Sequence, residues 1–532
     1  MSDQPQQIVT APGAAGHVLE RARWAARAYA SYSASDVDRI VRAVADVAHA
    51  HAEKYAEWAV RETGFGVVEH KVRKNQACSR GIVDTYAGQD FTTPRVRIDD
   101  KIVEVPRPAG VVLALTPSTN PVATVFFKVI LALMTRNAVV VSPHPMAKEC
   151  CHDAAQLLAR AAVEAGAPDG IVQSIAEPTI PLVEALMADV RTNVILATGG
   201  TGVVRAAYSS GNPAIGVGPG NVPVLVDATA DVRAAAQRLV ESKAFDNSVL
   251  CTNESVLIAE EAVADQLVRE MERAGAAVLG ADDAQRLRDY MFPDGRLNVG
   301  VVGKDASWIA QQAGIRVGAR TKVLVAPFAT AVPEEPLTHE KLSPVLGMIR
   351  VPDAAAGIAT ARAIIRIAGA GHSAAIHSTD PGTVMRYAAE VPVLRVSVNV
   401  GNSTGSSGLD TNLAPTMTIG TGFVGRSALG ENLQPKHLVD WTRIAYNSDP
   451  AEAMPAYAGR SPWHDHHTPV PAYPRPSNDE RAPRAQAPAH VDALIDRIGA
   501  RTASGGAGTG DAAFREQVRR LVVEELSHLI KG

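Results

Sequence analysis

The chain has 532 residues, 46% hydrophobic and 20% charged, material for roughly three folded units at about 150 residues each, which excludes disorder of the whole chain. Its 52 Lys and Arg against 56 Asp and Glu, a formal net charge of −4, leave no field for nucleic acid or an anionic membrane, so a small molecule is the expected partner. The four cysteines include no C-x-x-C pair and no histidine at ligand spacing, which argues against a disulfide framework and a metal site and points to a reducing cytoplasm.

The N-terminus has no basic stretch followed by an apolar run, so no secretory leader is expected. Amphipathic spacing predicts helices over 18–32, 36–62 (N-capped by Ser33 or Ser35) and 67–86. From Arg95 the period shortens to alternation, with Val96, Ile98, Ile102, Val103 and Val105 marking a hairpin that ends at Pro106. Buried strands are then expected at 111–115, 138–142, 171–175, 194–197 and 222–226, with helices at 122–135, 148–165, 179–188, 203–209 and 232–245. The run 122–134 carries Lys128 at its centre and is too short to cross a bilayer. Cys150 and Cys151 fall inside a helix and read as packing. Such alternation is the grammar of a doubly wound parallel sheet, whose ligands lie at the carboxyl ends of the strands.

A second α/β series follows Cys251, with strands at 255–259, 323–326, 345–350, 374–377 and 395–398 and helices at 261–274, 354–367 and 382–389. The Gly-, Ser- and Asn-rich stretch 399–413 reads as loop and 438–445 as an edge strand. Nine of the 34 prolines fall between Pro450 and Pro488, so 447–488 reads as a disordered, extended linker. It contains Trp463, His464, Asp465, His466 and His467, which lack the framework of a metal site. Beyond it, 490–498 and 511–531 have helical spacing. In the second, Phe514, Val518, Leu521, Val522, Leu526, Leu529 and Ile530 form an apolar stripe that calls for a partner groove.

Cys251 lies between the two series, where it is either a small buried hydrophobe or a thiol facing a crevice. Asn120, after a strand and before a helix, either caps that helix or offers its amide to a developing oxyanion. Gly199, Gly200 and Thr201 also follow a strand and open a helix, a turn able to hold a phosphate, though without G-x-G-x-x-G spacing or a Walker lysine.

Segments 116–121, 198–202, 217–223, Cys251 and 339–345 occur in the order and spacing of the aldehyde dehydrogenase superfamily, over 43–446. Segments 142–145, 242–247 and 371–377 narrow the resemblance to the CoA-acylating branch, including members associated with bacterial microcompartments. The resemblance implies a Rossmann-type cofactor domain with N-terminal helices (1–250), an α/β catalytic thiol domain (251–413) and a small β arm for homo-oligomerisation, dimer or tetramer (95–106 and 414–446). It implies oxidation of an aldehyde by NAD through a thioester on Cys251, with CoA as co-substrate and propionaldehyde or acetaldehyde as the default aldehyde. Asn120 would hold the oxyanion and His372 would act as base for the CoA thiol. Thr116, Pro117, Ser142, His144, Gly199, Gly200, Thr201, Gly218 and Glu340 would line the cofactor, Glu340 on the nicotinamide ribose. Hydrolytic members carry a water-activating glutamate where Val217 stands, and a ribose-binding lysine where Ser142 stands. The first difference disfavours a hydrolytic enzyme, and the second leaves NADP open. The tail 489–532 resembles an encapsulation peptide, whose helix at 511–531 would dock on microcompartment shell proteins. A non-catalytic scaffold carrying that tail is the remaining alternative.

Overall fold

The computed structural model describes residues 11–457, 459–463 and 473. Helices α1 (Ala11–Tyr29), α2 (Ala34–Ala50), α3 (Ala52–Thr63), α4 (Val68–Ala77) and α5 (Arg80–Thr85) open the chain. Ser33 is the cap of α2, its Oγ accepting from the Asp36 N–H at 3.2 Å. The single helix expected over 36–62 breaks at His51, whose ring Nδ1 sits 2.9 Å from the Val47 carbonyl and competes with the helical ladder. The one expected over 67–86 breaks at Ser79, whose hydroxyl donates to the Asn75 and Gln76 carbonyls.

Strands β1 (Arg95–Arg97) and β2 (Ile102–Pro108) form the expected hairpin. After it come β3 (Val111–Leu115), α6 (Pro121–Met134), β4 (Ala138–Ser142), α7 (Lys148–Glu164), β5 (Val172–Ser174), α8 (Ile180–Ala188), β6 (Val194–Thr198), α9 (Thr201–Ser209) and β7 (Ala214–Val217). These five strands make one parallel sheet in the order β5-β4-β3-β6-β7. The order reverses between β3 and β6, so the crevice of a doubly wound sheet opens at their carboxyl ends. Buried Lys128 of α6 donates to the Leu115 and Leu196 carbonyls at 2.7 and 2.8 Å and ties those two strands together. Cys150 and Cys151 are buried in α7.

The next strand, β8 (Val222–Val226), departs from expectation: it reads as part of the first series but pairs in the second sheet. The sheet therefore changes at the link 218–221, well before residue 250. Following β8 are α10 (Val232–Ala244), β9 (Glu254–Glu260), α11 (Glu261–Ala274), β10 (Ala276–Val278), α12 (Ala281–Met291), α13 (Ala306–Gln312), β11 (Val323–Pro327), β12 (Val345–Val351), α14 (Ala354–Ile367), β13 (Ala374–His377), α15 (Pro381–Glu390) and β14 (Val396–Val398). The parallel order is β10-β11-β12-β9-β8-β13-β14. A one-turn helix, α16 (Asn402–Gly405), interrupts the stretch expected to be loop. Of 414–446 only β15 (Val439–Ala445) is strand; it pairs antiparallel with β2 from Val439 opposite Pro108 to Ala445 opposite Ile102.

Because β7 ends the first sheet and β8 begins the second after a link of only four residues, 218–221, the carboxyl edge of one sheet meets the amino edge of the other. Among the described residues, no helix is long and apolar enough to cross a membrane. The expected helices at 490–498 and 511–531, and residues 464–467, lie outside the described residues.

Candidate active site

The segment leading to Cys251 is unusual. After α10, Asp246, Asn247 and Ser248 adopt φ of 52°, 49° and 62° in succession, a left-handed run costing of order 1 kcal/mol per residue and kept only where the surroundings over-determine it. Here they do. Asp246 Oδ1 accepts from the Val67 N–H at 2.7 Å, the Asp246 N–H donates to His70 Nδ1 at 2.8 Å, and Asn247 Nδ2 donates to the Gly303 carbonyl at 2.9 Å. Downstream, the Leu250 N–H donates to Asn253 Oδ1 at 2.9 Å and Thr252 Oγ1 to the Ser403 carbonyl at 2.8 Å. Cys251 is the only one of the four free cysteines that is not buried outright. Burial and then the Glu340 carboxylate push its thiol up to about 12, against the pull of its own backbone N–H and the Arg395 guanidinium.

The first sheet contributes its carboxyl ends. Thr116 and Pro117 are buried beyond β3, and the Thr116 N–H donates to the Ser142 carbonyl at the end of β4. Asn120 precedes α6, but its side chain does not cap the helix, which Pro121 starts instead. Its Oδ1 accepts from Lys74 Nζ at 2.5 Å, and its Nδ2 lies 3.3 Å from Thr119 Oγ1. At the neighbouring strand end Gly199 and Gly200 turn into α9, whose N-terminus has no side-chain cap among the described residues, and Gly200 and Thr201 are exposed there. These residues fit a dinucleotide phosphate: an uncapped helix N-terminus at a switch point presents free N–H groups and the positive end of the helix dipole. His144 is exposed and its Nδ1 caps the turn Pro145–Ala147 by accepting from the Met146 N–H.

The second sheet contributes its amino ends, where the first contributes its carboxyl ends. Gly220 before β8, Cys251 before β9, Glu340 before β12, His372 before β13 and Arg395 before β14 all stand on adjoining strands. Gly218 lies half-buried in the link from β7. A Cβ on Gly220 would come 2.0 Å from the Cys251 carbonyl oxygen and 3.0 Å from Glu340 Oε1, so only glycine allows this approach. Burial raises Glu340 to about 8, with Lys243, Lys341 and the Gly220 N–H pulling the other way. Burial likewise lowers Lys243 to about 7, against Glu254 and Glu340.

His372 is fully buried. Its Nδ1 lies 3.0 Å from Ser373 Oγ, and its Nε2 has no partner among the described residues. Burial and then Arg395 hold the ring neutral, down to about 3. Asn402 Nδ2 donates both to Ser373 Oγ at 3.0 Å and to the Thr252 carbonyl at 2.7 Å, linking the His372 strand to the residue after the thiol. Arg395 donates to the Gly371, His372 and Gly420 carbonyls, and no carboxylate among the described residues pairs with it. Lys71, Lys74 and Asn402 carry no local signal that singles them out, because each looks like an ordinary surface or loop residue until the chain is folded; Lys243 lies in a segment that carries the resemblance and Arg395 at the start of an expected strand, but neither was given a role. Beside the thiol turn a cleft of about 530 Å³ is lined by His70, Arg73, Phe245, Asn247, Asp305 and Lys322, among others.

Residues 10–411 match the aldehyde dehydrogenase family. The bifunctional aldehyde-alcohol dehydrogenase of Escherichia coli (strain K12) is 37% identical over 440 residues, 81% of this chain and 49% of that protein. The chain thus spans about half the length of such relatives. The acetylating succinate-semialdehyde dehydrogenase of Clostridium kluyveri is 35% identical over 444 residues, 83% of this chain and 97% of that protein. Among solved structures, an acetylating aldehyde dehydrogenase from Geobacillus thermoglucosidasius superposes with a TM-score of 0.81 at 36% identity, covering 84% of this chain and 98% of that one. A propionaldehyde dehydrogenase from the Clostridium phytofermentans fucose utilisation microcompartment gives 0.74 at 29%, covering 81% and 97%. Most of its length and both of its parallel sheets are thus shared with known enzymes, and the chain belongs to the aldehyde dehydrogenase family, beside the acylating members.

Proposed function

We propose that the protein is a CoA-acylating aldehyde dehydrogenase, converting an aldehyde, CoA and NAD(P)+ into acyl-CoA and NAD(P)H through a thioester on Cys251. The observation that carries the CoA step is Val217, buried and apolar at the end of β7, where a hydrolytic relative would hold a water-activating carboxylate. With Val217 at that position the carboxylate that would activate water is missing, whereas a CoA thiolate exchanges one thioester for another without needing water to be activated.

Cys251 gives up its thiol proton to solvent and Sγ adds to the aldehyde carbonyl, while the Asn120 amide and the Cys251 N–H donate to the oxygen as it becomes negative. The chemistry that bound NAD(P) would supply here is acceptance of the hydride from the former aldehyde carbon. Gly199, Gly200 and Thr201 would hold its pyrophosphate, and Thr116, Pro117, Ser142, His144 and Gly218 line the same edge. Glu340 would take the nicotinamide ribose. In the second half-reaction His372 Nε2, in a ring that burial keeps neutral, takes the CoA thiol proton and returns it to the Cys251 sulfur as that sulfur leaves. The CoA sulfur then attacks the thioester carbonyl and Cys251 leaves.

For the aldehyde, propionaldehyde or acetaldehyde is the expected class, propionaldehyde being what the Clostridium phytofermentans enzyme is named for. The β1-β2-β15 arm, with Val96, Ile98 and Ile444 exposed, is read as the oligomerisation surface. The tail is read as an encapsulation peptide binding microcompartment shell proteins through 511–531. Changing Cys251→Ser should abolish NADH formation while circular dichroism and melting stay those of the parent; a variant that still turns over near normally would end this reading.

A further inference from the structure

Two lysines one helical turn apart on α4 reach across the boundary between the two halves of the site. Lys71 and Lys74 are both buried, as is Asp246, the first left-handed residue of the thiol turn. Lys71 Nζ donates to Asp246 Oδ2 and to the Thr119 carbonyl, each at 3.1 Å. Lys74 Nζ donates to the same Asp246 oxygen and, at 2.5 Å, to Asn120 Oδ1. The pair thereby joins the turn that carries Cys251 to the loop that carries Asn120.

Fold stability does not call for the second lysine. Two buried ammonium groups against one carboxylate leave an unbalanced charge, whereas Lys71 and Asp246 alone would be a neutral pair. Burial accordingly lowers Lys74 to about 8, opposed by Asp246. What Lys74 adds is direction. A carboxamide has one oxygen and one nitrogen, and at a site that needs a donor it must be held with its oxygen turned away. With Oδ1 occupied by the ammonium and one Nδ2 hydrogen toward Thr119 Oγ1, one Nδ2 hydrogen is left to donate.

We propose that Lys74 is a positioning residue for the oxyanion site: through Asn120 Oδ1 it locks the amide with Nδ2 as donor, in register with the thiol turn it also grips at Asp246. The inference rests on the oxyanion role of Asn120 proposed above.

The test compares two reactions of Cys251 that need no cofactor. Acylation by p-nitrophenyl acetate passes through a tetrahedral oxyanion; alkylation by iodoacetamide is a displacement at saturated carbon and does not. Lys74→Met should slow acylation by ~10- to 100-fold, short of or equal to the loss of a whole oxyanion donor, and leave alkylation within about twofold. Lys74→Gln, which retains a donor toward Asn120 Oδ1, should recover part of the rate, and it carries the test should the methionine variant fold poorly. In an Asn120→Ala background, Lys74→Met should cost nothing further. Equal losses in acylation and alkylation, or the full loss repeated in the Asn120→Ala background, would overturn the role of Lys74 alone. An Asn120→Ala enzyme that acylates at the parent rate would overturn the oxyanion reading and this inference with it.

Discussion

Glu340 faces the thiol with a charge that depends on pH. Its carboxyl is raised to about 8 by burial, so near neutral pH it is protonated and leaves Cys251 unopposed; above that value it is an anion that disfavours a neighbouring thiolate. A neutral carboxyl can also donate to a ribose hydroxyl, which suits the role proposed for it. Glu340→Gln should therefore alkylate with iodoacetamide at about the parent rate near neutral pH and faster than the parent above the Glu340 pKa, where the parent thiol is held back. Identical rates at both ends would show that the Glu340 charge does not reach the sulfur. Cys251, Asn120, Glu340 and His372 were legible in the sequence chiefly through their motifs. Their supporting residues were not: Lys71 and Lys74 share α4 with Glu69, Arg73 and other polar groups, and on an amphipathic pattern such residues read as a solvated face. They are buried only in the folded chain, where they meet Asp246, Thr119 and Asn120.

At the level of elements, the site is a meeting of strand ends, and the link 218–221 makes it. Gly220 lets β8 begin against the thiol turn, and any side chain there would meet the Cys251 carbonyl, which is backbone and cannot swing away. Gly220→Ala should fold but displace the turn, lowering the rate of NADH formation ~100-fold, the scale of an ångström's misplacement at a reacting centre. Stopped-flow measurement of the first turnover checks it, and an unchanged rate would mean the turn tolerates the shift. The buried strands were readable as β-branched apolar runs, β3, β4, β6 and β8 among them. Sheet membership was not, since β8 follows the first series directly and only long-range pairing assigns it to β9 and β13. The strand β7 was missed because Gly216, Gly218 and Gly220 make its surroundings look like one long turn. The breaks at His51 and Ser79 were hidden because polar side chains that bond back to the helix backbone do not disturb hydrophobic spacing.

Over the whole molecule, the described residues hold two parallel sheets, their helices and an antiparallel arm, while the proline-rich stretch begins just where β15 ends. Truncation before 511 should leave the kcat of the purified enzyme unchanged and abolish its co-purification with shell proteins; co-purification that persists would contradict an encapsulating tail. The activity itself is best tested by supplying the purified full-length chain with a short aldehyde and NAD, with and without CoA, and following NADH and product together. The account predicts sustained NADH formation only with CoA present, matched by acyl-CoA in equal amount. Undiminished NADH formation without CoA, with the free carboxylic acid as product, would contradict it.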